Sequence, residues 1–256
     1  LAGVLAASML FTGCSKKAES KVPDKLIVGT NAEFPPFEYM NDKKQPEGFD
    51  IAMIKEIGKR MGKKVEIKNM EFKSLIGAME SDSINAIIAG MTKTEKREKA
   101  VDFSDSYYTT NQAIILKKDS KITKLAQLDG KKIGVQEGTT GDLISSGDKF
   151  GDGKKAKVLV KGAKVKRFKK GVDAVMDLKN GSVDAVVIDE LTANEFVKKN
   201  AKKLKIVIDS AGSEYYCIAL TKGNTAYKEE VNKQIKAIKE DGTYDKLKAK
   251  YIDSKN

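Results

Sequence analysis

From Lys25 onward, apolar and polar positions follow two alternating periods. Short apolar runs rich in β-branched residues predict strands, and apolar residues spaced three or four positions apart predict amphipathic helices. In the first half these segments are LIVGT, FDIAMIKEIGKRMG, KVEIKNM, SLIGAMES and NAIIAGM. The pattern resumes with KKIGVQ, a helix after TTGD, GVDAVMDLKNG, VDAVVIDE, TANEFVKKN, KIVI and a closing helical stretch from about Thr225 to Tyr251, interrupted at Gly242. The alternation predicts an α/β fold with mostly parallel sheets flanked by helices.

A weak internal repeat predicts that this pattern forms two similar lobes. The segment 75–90 aligns with 174–189 without a gap, so that Gly90 falls on Asp189. The strand that ends at Asn31 has a counterpart that ends near Gln136. Ligands of open α/β sheets bind beyond the carboxyl ends of strands. We therefore expect these residues to face one another across a cleft.

Two extended segments, 105–116 and 212–220, bracket the second lobe. If both cross between lobes, lobe 1 comprises 25–109 plus 216–256 and lobe 2 comprises 110–215. Two crossings predict a clamshell whose lobes move about a double-stranded hinge.

The opening LAGVLAASMLFTGC is apolar and uncharged, but it is shorter than the roughly 20 residues needed to span a bilayer. It predicts the apolar region of a signal peptide over residues 1–13. The run ends at Cys14 in a sequence similar to a bacterial lipobox, so we expect a lipidated Cys14 and a polar tether over 14–24. The alternative is a buried helix with an ordinary cysteine. The lipobox predicts an extracytoplasmic lipoprotein on the outer face of a bacterial cytoplasmic membrane, periplasmic if the cell is Gram-negative.

Composition narrows the chemistry that is available to the chain. The sequence has no histidine, and its second cysteine, Cys217, lies in an apolar run typical of a core thiol. We therefore expect no metal, no cofactor and no histidine-based catalytic triad. The net charge of +12 arises from 48 Lys and Arg scattered among 36 Asp and Glu. This distribution favours a solvated, lysine-rich surface over a nucleic-acid site, so we expect no nucleic-acid partner. We also expect the protein to be a monomer.

The stretch GMTKTEKREKAVDFSDSYY contains an arginine in an unfavourable helical position. Thr94 is a good N-cap, yet Arg97 stands where a capping box would have Glu or Gln. The first turn of a helix is also the positive end of its dipole. A bound anion would explain the arginine, and the alternative is a surface ion pair between Arg97 and Asp102.

The chain resembles the polar amino-acid-binding proteins of ABC importers, solute-binding protein family 3, which have the type II periplasmic-binding fold. The stretches that carry the resemblance are TNAEFPPFEY, GFDIAMIKEIGKRMG, MEFKSLIGAM, GMTKTEKREKAVDFSDSYY, GKKIGVQEGTTGD and VDAVVIDE. The resemblance implies a receptor that binds an amino acid between two lobes and closes on it. It also implies delivery to the permease and ATPase subunits of an importer.

The resemblance assigns the α-carboxylate of the ligand to Arg97, which can bind it through two parallel hydrogen bonds. Backbone N–H groups near Thr92, and at the helix start after Thr139 and Thr140, would add donors. Asp189 would bind the ammonium, because a buried charge needs a partner. The alternative for Asp189 is a cap on the following helix at Thr192.

Other residues would complete the ammonium subsite and hold the side chain of the ligand. Aromatic walls favour a flat or cationic side chain, and the resemblance leaves Glu33 and Glu137 as further candidates for its tip. Gly90, through its carbonyl, and the Thr92 hydroxyl would help to bind the ammonium. The remaining predicted positions are Phe34 and Phe72 as walls, Asn31 and Gln136 at the tip, and Met91 as a further ligand-binding residue.

Arginine is the favoured ligand, with glutamine, histidine and lysine as alternatives. Lysine is the least favoured, because family members that bind basic amino acids often have an acid where Asn31 stands. Two other functions compete with the receptor. One is an enzyme on the same fold, such as a dehydratase of small carboxylic acids, which would need a placed general acid. The other is a basic surface adhesin with salt-sensitive binding to polyanions.

Overall fold

The computed structural model describes residues 21–147, 160–208 and 213–253. The strands are β1 (Lys25–Thr30), β2 (Glu33–Phe34), β3 (Glu38–Met40), β4 (Pro46–Glu47), β5 (Lys64–Asn69), β6 (Ala86–Ile87), β7 (Val101–Thr110), β8 (Gln112–Lys117), β9 (Lys132–Gln136), β10 (Lys164–Phe168), β11 (Ala185–Asp189), β12 (Leu204–Ile208) and β13 (Glu214–Thr221). The helices are α1 (Phe49–Arg60), α2 (Leu75–Glu80), α3 (Glu95–Glu98), α4 (Thr140–Ser146), α5 (Gly171–Asn180), α6 (Glu190–Lys198), α7 (Thr225–Glu240) and α8 (Thr243–Tyr251).

The first lobe is built on a five-stranded sheet in the order β5-β1-β6-β13-β7. Strands β5, β1 and β6 are parallel, whereas β13 runs antiparallel to both of its neighbours. Helix α2 packs on one face of the sheet, and α1, α7 and α8 pack together on the other. The interruption predicted at Gly242 is confirmed, since this residue separates α7 from α8 at φ +75°.

The second lobe repeats this design with the strand order β10-β9-β11-β8-β12. Strands β10, β9 and β11 are parallel, and β8 is antiparallel to β11 and β12. Helix α4 covers one face, while α5 and α6 cover the other. The predicted two-lobed α/β fold is confirmed, but each sheet is mixed rather than mostly parallel.

The internal repeat corresponds to equivalent strands of the two sheets. Ala86 pairs in parallel with Val28 in the first sheet, and Ala185 pairs in parallel with Ile133 in the second. Asn31, which follows β1, and Gln136, which ends β9, are thereby brought to the sides of the two sheets where the lobes meet. The sequence repeat thus marks the parallel half of each sheet.

The antiparallel half of each sheet comes from the segments that cross between lobes. Strand β7 leads through Asn111 into β8, and β13 returns to pair along β7. This pair has register shifts on both sides of Cys217, a buried free thiol. The exact lobe boundaries stay a prediction, as does the hinge motion.

Two features of the fold lack a strong periodic signal in the sequence. Strands β2, β3 and β4 form a small separate sheet, and β10 lies in the basic insert 147–170. Residues 148–159 of that insert, and Cys14 with the rest of the predicted signal region, lie outside the described residues. Within the part of the chain that the structure describes, no helix combines the length and apolar character needed to cross a membrane.

Candidate ligand-binding site

A partly enclosed cavity lies between the two lobes, and the space inside it, including its opening to solvent, is about 290 Å³. Ten of the eleven predicted site residues line it, and Ala89 was not predicted. Met91 is the exception, because it is fully buried in the core of the first lobe, where its backbone carbonyl accepts the Cys217 N–H. The lining residues are Asn31, Phe34, Phe72, Ala89, Gly90, Thr92, Arg97, Gln136, Thr139, Thr140 and Asp189.

Arg97 reaches this cavity from the four-residue helix α3 and is buried. Thr94 caps the helix as predicted, because its hydroxyl accepts the Arg97 backbone N–H at 3.2 Å. The guanidinium donates from Nη1 to the Thr92 carbonyl at 2.5 Å and from Nη2 to the Gly138 carbonyl at 3.0 Å. Arg97 therefore joins its own lobe to the second lobe.

The alternative of a surface pair between Arg97 and Asp102 does not describe this structure. Asp102 pairs instead with Lys222 at 2.9 Å, while the Arg97 Cζ lies 5.3 Å from the centroid of the Phe72 ring. Burial lowers the pKa of Arg97 to about 10, and nearby acids oppose that shift. The guanidinium thus stays charged at neutral pH although its side chain is buried.

The loop that meets Arg97 in the second lobe is fixed by a buried carboxylate. Asp142 accepts the Gly138 N–H at 3.1 Å and pairs with Arg167 at 2.9 Å. Thr139 caps α4 by accepting the Asp142 N–H at 3.3 Å. These contacts hold the first turn of α4 against the cavity.

Asp189 ends strand β11 and is the buried acid of the cavity lining. Its Oδ1 accepts a hydrogen bond from Gln112 at 2.8 Å, and its Oδ2 accepts one from the Tyr216 hydroxyl. It makes no side-chain capping bond to α6, so the helix-cap alternative does not account for it. Burial, reinforced by the negative charge of Glu214, raises the pKa of Asp189 to about 7.

Gly90 follows β6 at the position equivalent to Asp189 in the repeat. Its φ of +51° favours glycine, and an added Cβ would stand 3.2 Å from the Phe34 ring. Its N–H donates to Asp50 Oδ2 at 2.8 Å, which also accepts the Tyr107 hydroxyl at 2.7 Å. Burial raises the pKa of Asp50 to about 6. A buried carboxylate therefore sets the backbone on this side of the cavity.

The two amide residues predicted for the site, Asn31 and Gln136, come from different lobes and meet in the cavity lining. Gln136 Nε2 donates to Asn31 Oδ1 at 2.8 Å, and both side chains are buried. The Gln136 Oε1 atom accepts no hydrogen bond from the described residues. This buried oxygen lies toward Gly171 at the start of α5, so it is the Nε2 side of the amide that joins the two lobes.

The tip candidates Glu33 and Glu137 do not line the cavity. They stand at its rim, where Glu33 pairs with Lys170 at 2.6 Å and Glu137 pairs with Lys73 at 2.9 Å. Each of these pairs joins one lobe to the other.

One acid beside the cavity was missed in the sequence. Glu214 begins β13, and its Oε2 accepts hydrogen bonds from the hydroxyls of Thr92 and Thr140 at 2.6 and 2.7 Å. The available signal was a polar residue directly before the apolar run YYCIAL of a segment predicted to cross the hinge. Its partners come from sequence positions more than seventy residues away, so spacing alone could not identify them.

Comparison with known proteins agrees with this architecture. The model of the bacterial extracellular solute-binding proteins, family 3, matches residues 26–254. The arginine-binding extracellular protein ArtP of Bacillus subtilis (strain 168) is 33% identical over 255 residues, which cover 98% of this chain and 95% of ArtP.

Two solved structures of ancestral arginine-binding proteins are also similar. The one bound to arginine has a TM-score of 0.81 at 43% identity, over 91% of this chain and 100% of that chain. The one bound to glutamine has a TM-score of 0.82 at 42% identity, over 91% of this chain and 99% of that chain. The chain belongs to family 3 of the bacterial extracellular solute-binding proteins.

Proposed function

We propose that this protein is an extracytoplasmic receptor that binds a polar amino acid, with arginine favoured, and delivers it to an ABC importer. The observation that carries the proposal is the pair of opposite charges that line one cavity between the lobes. Arg97 enters from the first lobe and Asp189 from the second, and both are buried. A zwitterion that lies between them would satisfy both charges.

The electrostatics of burial support this assignment. Removing an ammonium and a carboxylate from water costs several kcal/mol each unless both are paired and hydrogen-bonded. Arg97 would bind the ligand carboxylate with help from the backbone N–H groups at Thr92 and Thr140, whose hydroxyls donate to Glu214. Asp189 would bind the ammonium with help from the Gly90 carbonyl. The same contacts couple binding to closure, because a ligand that bridges both lobes favours the closed state.

The rest of the cavity supports a flat side chain with hydrogen-bond donors. Phe34 and Phe72 supply aromatic surface, and Asn31 and Gln136 supply amide groups to the lining. A guanidinium stacks on aromatic rings and donates in its own plane. Relatives named for arginine binding, and an ancestral arginine-binding protein solved with glutamine, support arginine first and glutamine next.

A screen of the twenty amino acids by thermal shift, followed by calorimetry, tests the function. A ligand present at about 1,000 times its Kd adds about 4 kcal/mol to the free energy of unfolding. We expect arginine to give the largest shift and a single-site binding isotherm. If none of the twenty amino acids shifts the melting temperature, the receptor assignment is wrong.

We do not assign a catalytic role to the cavity. The family and the curated relatives are solute-binding transport proteins. Asp189 accepts hydrogen bonds from two side chains and opposes Arg97, so the described geometry favours charge pairing over proton transfer. Turnover of hydroxy acids by the purified protein would contradict this assignment.

We further propose that Cys14 carries the lipid that holds a monomeric receptor at the outer face of the cytoplasmic membrane. The lipobox-like sequence before Cys14 supports this, and residues 14–24 would be the tether. Mass spectrometry of the protein from membranes should find a diacylglyceryl group on Cys14. In the Cys14→Ala variant we expect release from the membrane, and membrane retention would contradict the anchor.

A further inference from the structure

Glu214 connects the two walls of the cavity. It lies half-buried at the start of the hinge strand β13. Its Oε2 accepts a hydrogen bond from the Thr92 hydroxyl of the first lobe at 2.6 Å. The same oxygen accepts one from the Thr140 hydroxyl of the second lobe at 2.7 Å. One carboxylate oxygen is therefore bonded to both walls, and these bonds require the walls to be close.

The charge of Glu214 alters the charge balance of the cavity. Among the described lining residues, Arg97 is the cation and Asp189 the anion, so the lining alone is neutral. Glu214 adds a negative charge that contributes to the raised pKa of Asp189 and opposes the lowered pKa of Arg97. Above the Asp189 pKa of about 7, the charges of Arg97 and Asp189 cancel, and Glu214 gives the site one excess negative charge.

Acidic residues that contact the backbone of Gly90 add to this excess negative charge. Asp50 holds the Gly90 N–H, and its pKa of about 6 leaves it mostly ionised at neutral pH. Burial and the neighbouring Asp50 raise the pKa of Glu38 well above its usual range. A zwitterionic ligand with a neutral side chain has no net charge, so it leaves the excess negative charge of the site uncompensated. A ligand whose side chain carries a positive charge offsets that excess.

We propose that Glu214 is a specificity residue of the cleft, which links the two lobes through Thr92 and Thr140 and favours cationic over neutral amino acids. This inference rests on the proposed function, that the cleft binds an amino acid. The two parts of the role are separable. The charge acts on the side chain of the ligand over a distance, and the hydrogen bonds act on closure.

Arginine and citrulline provide the direct comparison, because citrulline replaces the guanidinium by a neutral ureido group of almost the same shape. We expect the wild-type protein to bind arginine more tightly than citrulline by isothermal calorimetry. Glu214→Gln removes the charge and keeps the size of the side chain. Because Glu214 is half-buried, the loss of its charge should change the arginine-to-citrulline ratio of affinities by about tenfold.

Two further variants separate charge from closure. Thr140→Val removes one hydroxyl that bonds Glu214 but leaves its charge, so we expect both ligands to weaken by a similar factor. Asp105→Asn is the matched charge control, because Asp105 lies exposed on the neighbouring hinge strand β7. We expect it to leave both affinities unchanged, since solvent screens an exposed charge.

The outcomes distinguish this inference from the proposed function. An unchanged affinity ratio in a folded Glu214→Gln protein, with its melting transition retained, overturns the role of Glu214 alone. A wild-type protein that binds a neutral amino acid more tightly than arginine also overturns it and leaves the receptor function in place. If the wild type binds no amino acid, both proposals are wrong.

Discussion

At the scale of single residues, Arg97 shows how a local conflict in the sequence can indicate a site. Its position in the first turn of α3 is unfavourable for a cation, yet its side chain is buried and joins Thr92 to Gly138. A helix alone does not need an arginine there. The conflict is explained by the cavity into which the guanidinium points.

Arg97→Lys tests that explanation, because it keeps the charge and removes the planar fork. Lysine can donate to one carboxylate oxygen at a time, so two charge-assisted hydrogen bonds become one at best. We expect the calorimetric affinity for arginine to fall roughly 100-fold. The control is Arg60→Lys, since Arg60 pairs with Glu56 and Asp241 on the surface of the first lobe. Equal affinities for Arg97→Lys and wild type would show that the carboxylate binds elsewhere.

The raised pKa of Asp189 predicts that the affinity for arginine depends on pH, and it fixes the direction of the change. The ligand ammonium needs the carboxylate ionised, so binding below pH 7 must displace a proton. We expect wild-type affinity for arginine to rise between about pH 5.5 and pH 7.5 and then to level off. In Asp189→Asn the affinity should be weaker throughout, with a smaller rise that reflects Asp50.

Stability of the unliganded protein should change in the opposite direction. The folded pKa of Asp189 lies above its unfolded value, so the folded state binds more protons between about pH 4 and pH 7. Stability from this group is therefore lost as pH rises through that window. Melting temperatures should show wild type losing stability relative to Asp189→Asn from about pH 5 to pH 7.5. A difference that does not vary with pH would contradict the raised pKa.

The site residues that the sequence predicted are marked by their neighbours in the sequence, whereas the residues that it missed are defined by contacts with distant positions. Arg97 and Asp189 are each marked by local context, a helix start in one case and a strand end in the other. Glu214 and Ala89 carry no comparable local signal. Glu214 acquires its role from hydroxyls of both lobes, and Ala89 lines the cavity because it lies two residues beyond the end of β6. Such contacts arise from tertiary structure.

At the scale of elements, the short helix α3 has one task that is visible in the structure, which is to hold Arg97. Four residues form too little helix to be stable alone, so its geometry depends on the cap and on packing. Thr94 supplies that cap through the Arg97 backbone N–H. The element and the site residue are therefore linked through one hydroxyl.

Thr94→Ala should disturb binding without touching the ligand directly. Losing an N-cap lowers the free energy of unfolding by about 1 kcal/mol. Because the misplaced turn carries Arg97, we also expect affinity for arginine to fall about fivefold. Thr94→Ser keeps the hydroxyl and should retain both properties in thermal melting and calorimetry. If Thr94→Ala loses stability but binds normally, the position of Arg97 does not depend on the cap.

Element types were better predicted than strand directions. Periodicity identified α1, α5, α6 and the division between α7 and α8, because each has a clear apolar face. It could not show that β8 and β13 run antiparallel to their neighbours, since an apolar run has no direction. Strand β10 was hidden by its composition, because KVKRF has mainly basic side chains on an edge of the sheet.

At the scale of the whole molecule, the rim of the cleft has ion pairs of both polarities between the lobes. Glu33 and Glu71 of the first lobe pair with Lys170 and Lys169 of the second, at 2.6 and 2.7 Å. Lys73 pairs in the reverse sense with Glu137 at 2.9 Å. These side chains are partly exposed, so each pair contributes little by itself. Together they favour the closed arrangement, and salt should weaken them.

The ion pairs predict that closure depends on ionic strength and on the match of charges across the rim. Raising salt from about 0.05 M to about 0.5 M should expand the unliganded protein in small-angle X-ray scattering and weaken arginine binding several-fold. Glu33→Lys places two cations together and should weaken binding about threefold at low salt. Adding Lys170→Glu to it restores opposite charges and should restore affinity.

Glu66→Lys is the control for this last prediction, because Glu66 pairs with Lys25 inside the first lobe. It changes the net charge of the protein as much as Glu33→Lys does, yet it leaves the rim intact. Equal effects of the two single variants would mean that overall charge, rather than contact between lobes, governs binding. If the double variant recovers the affinity for arginine, positions 33 and 170 must meet when the protein is closed. Ligand affinity then depends on the closed form of the cleft.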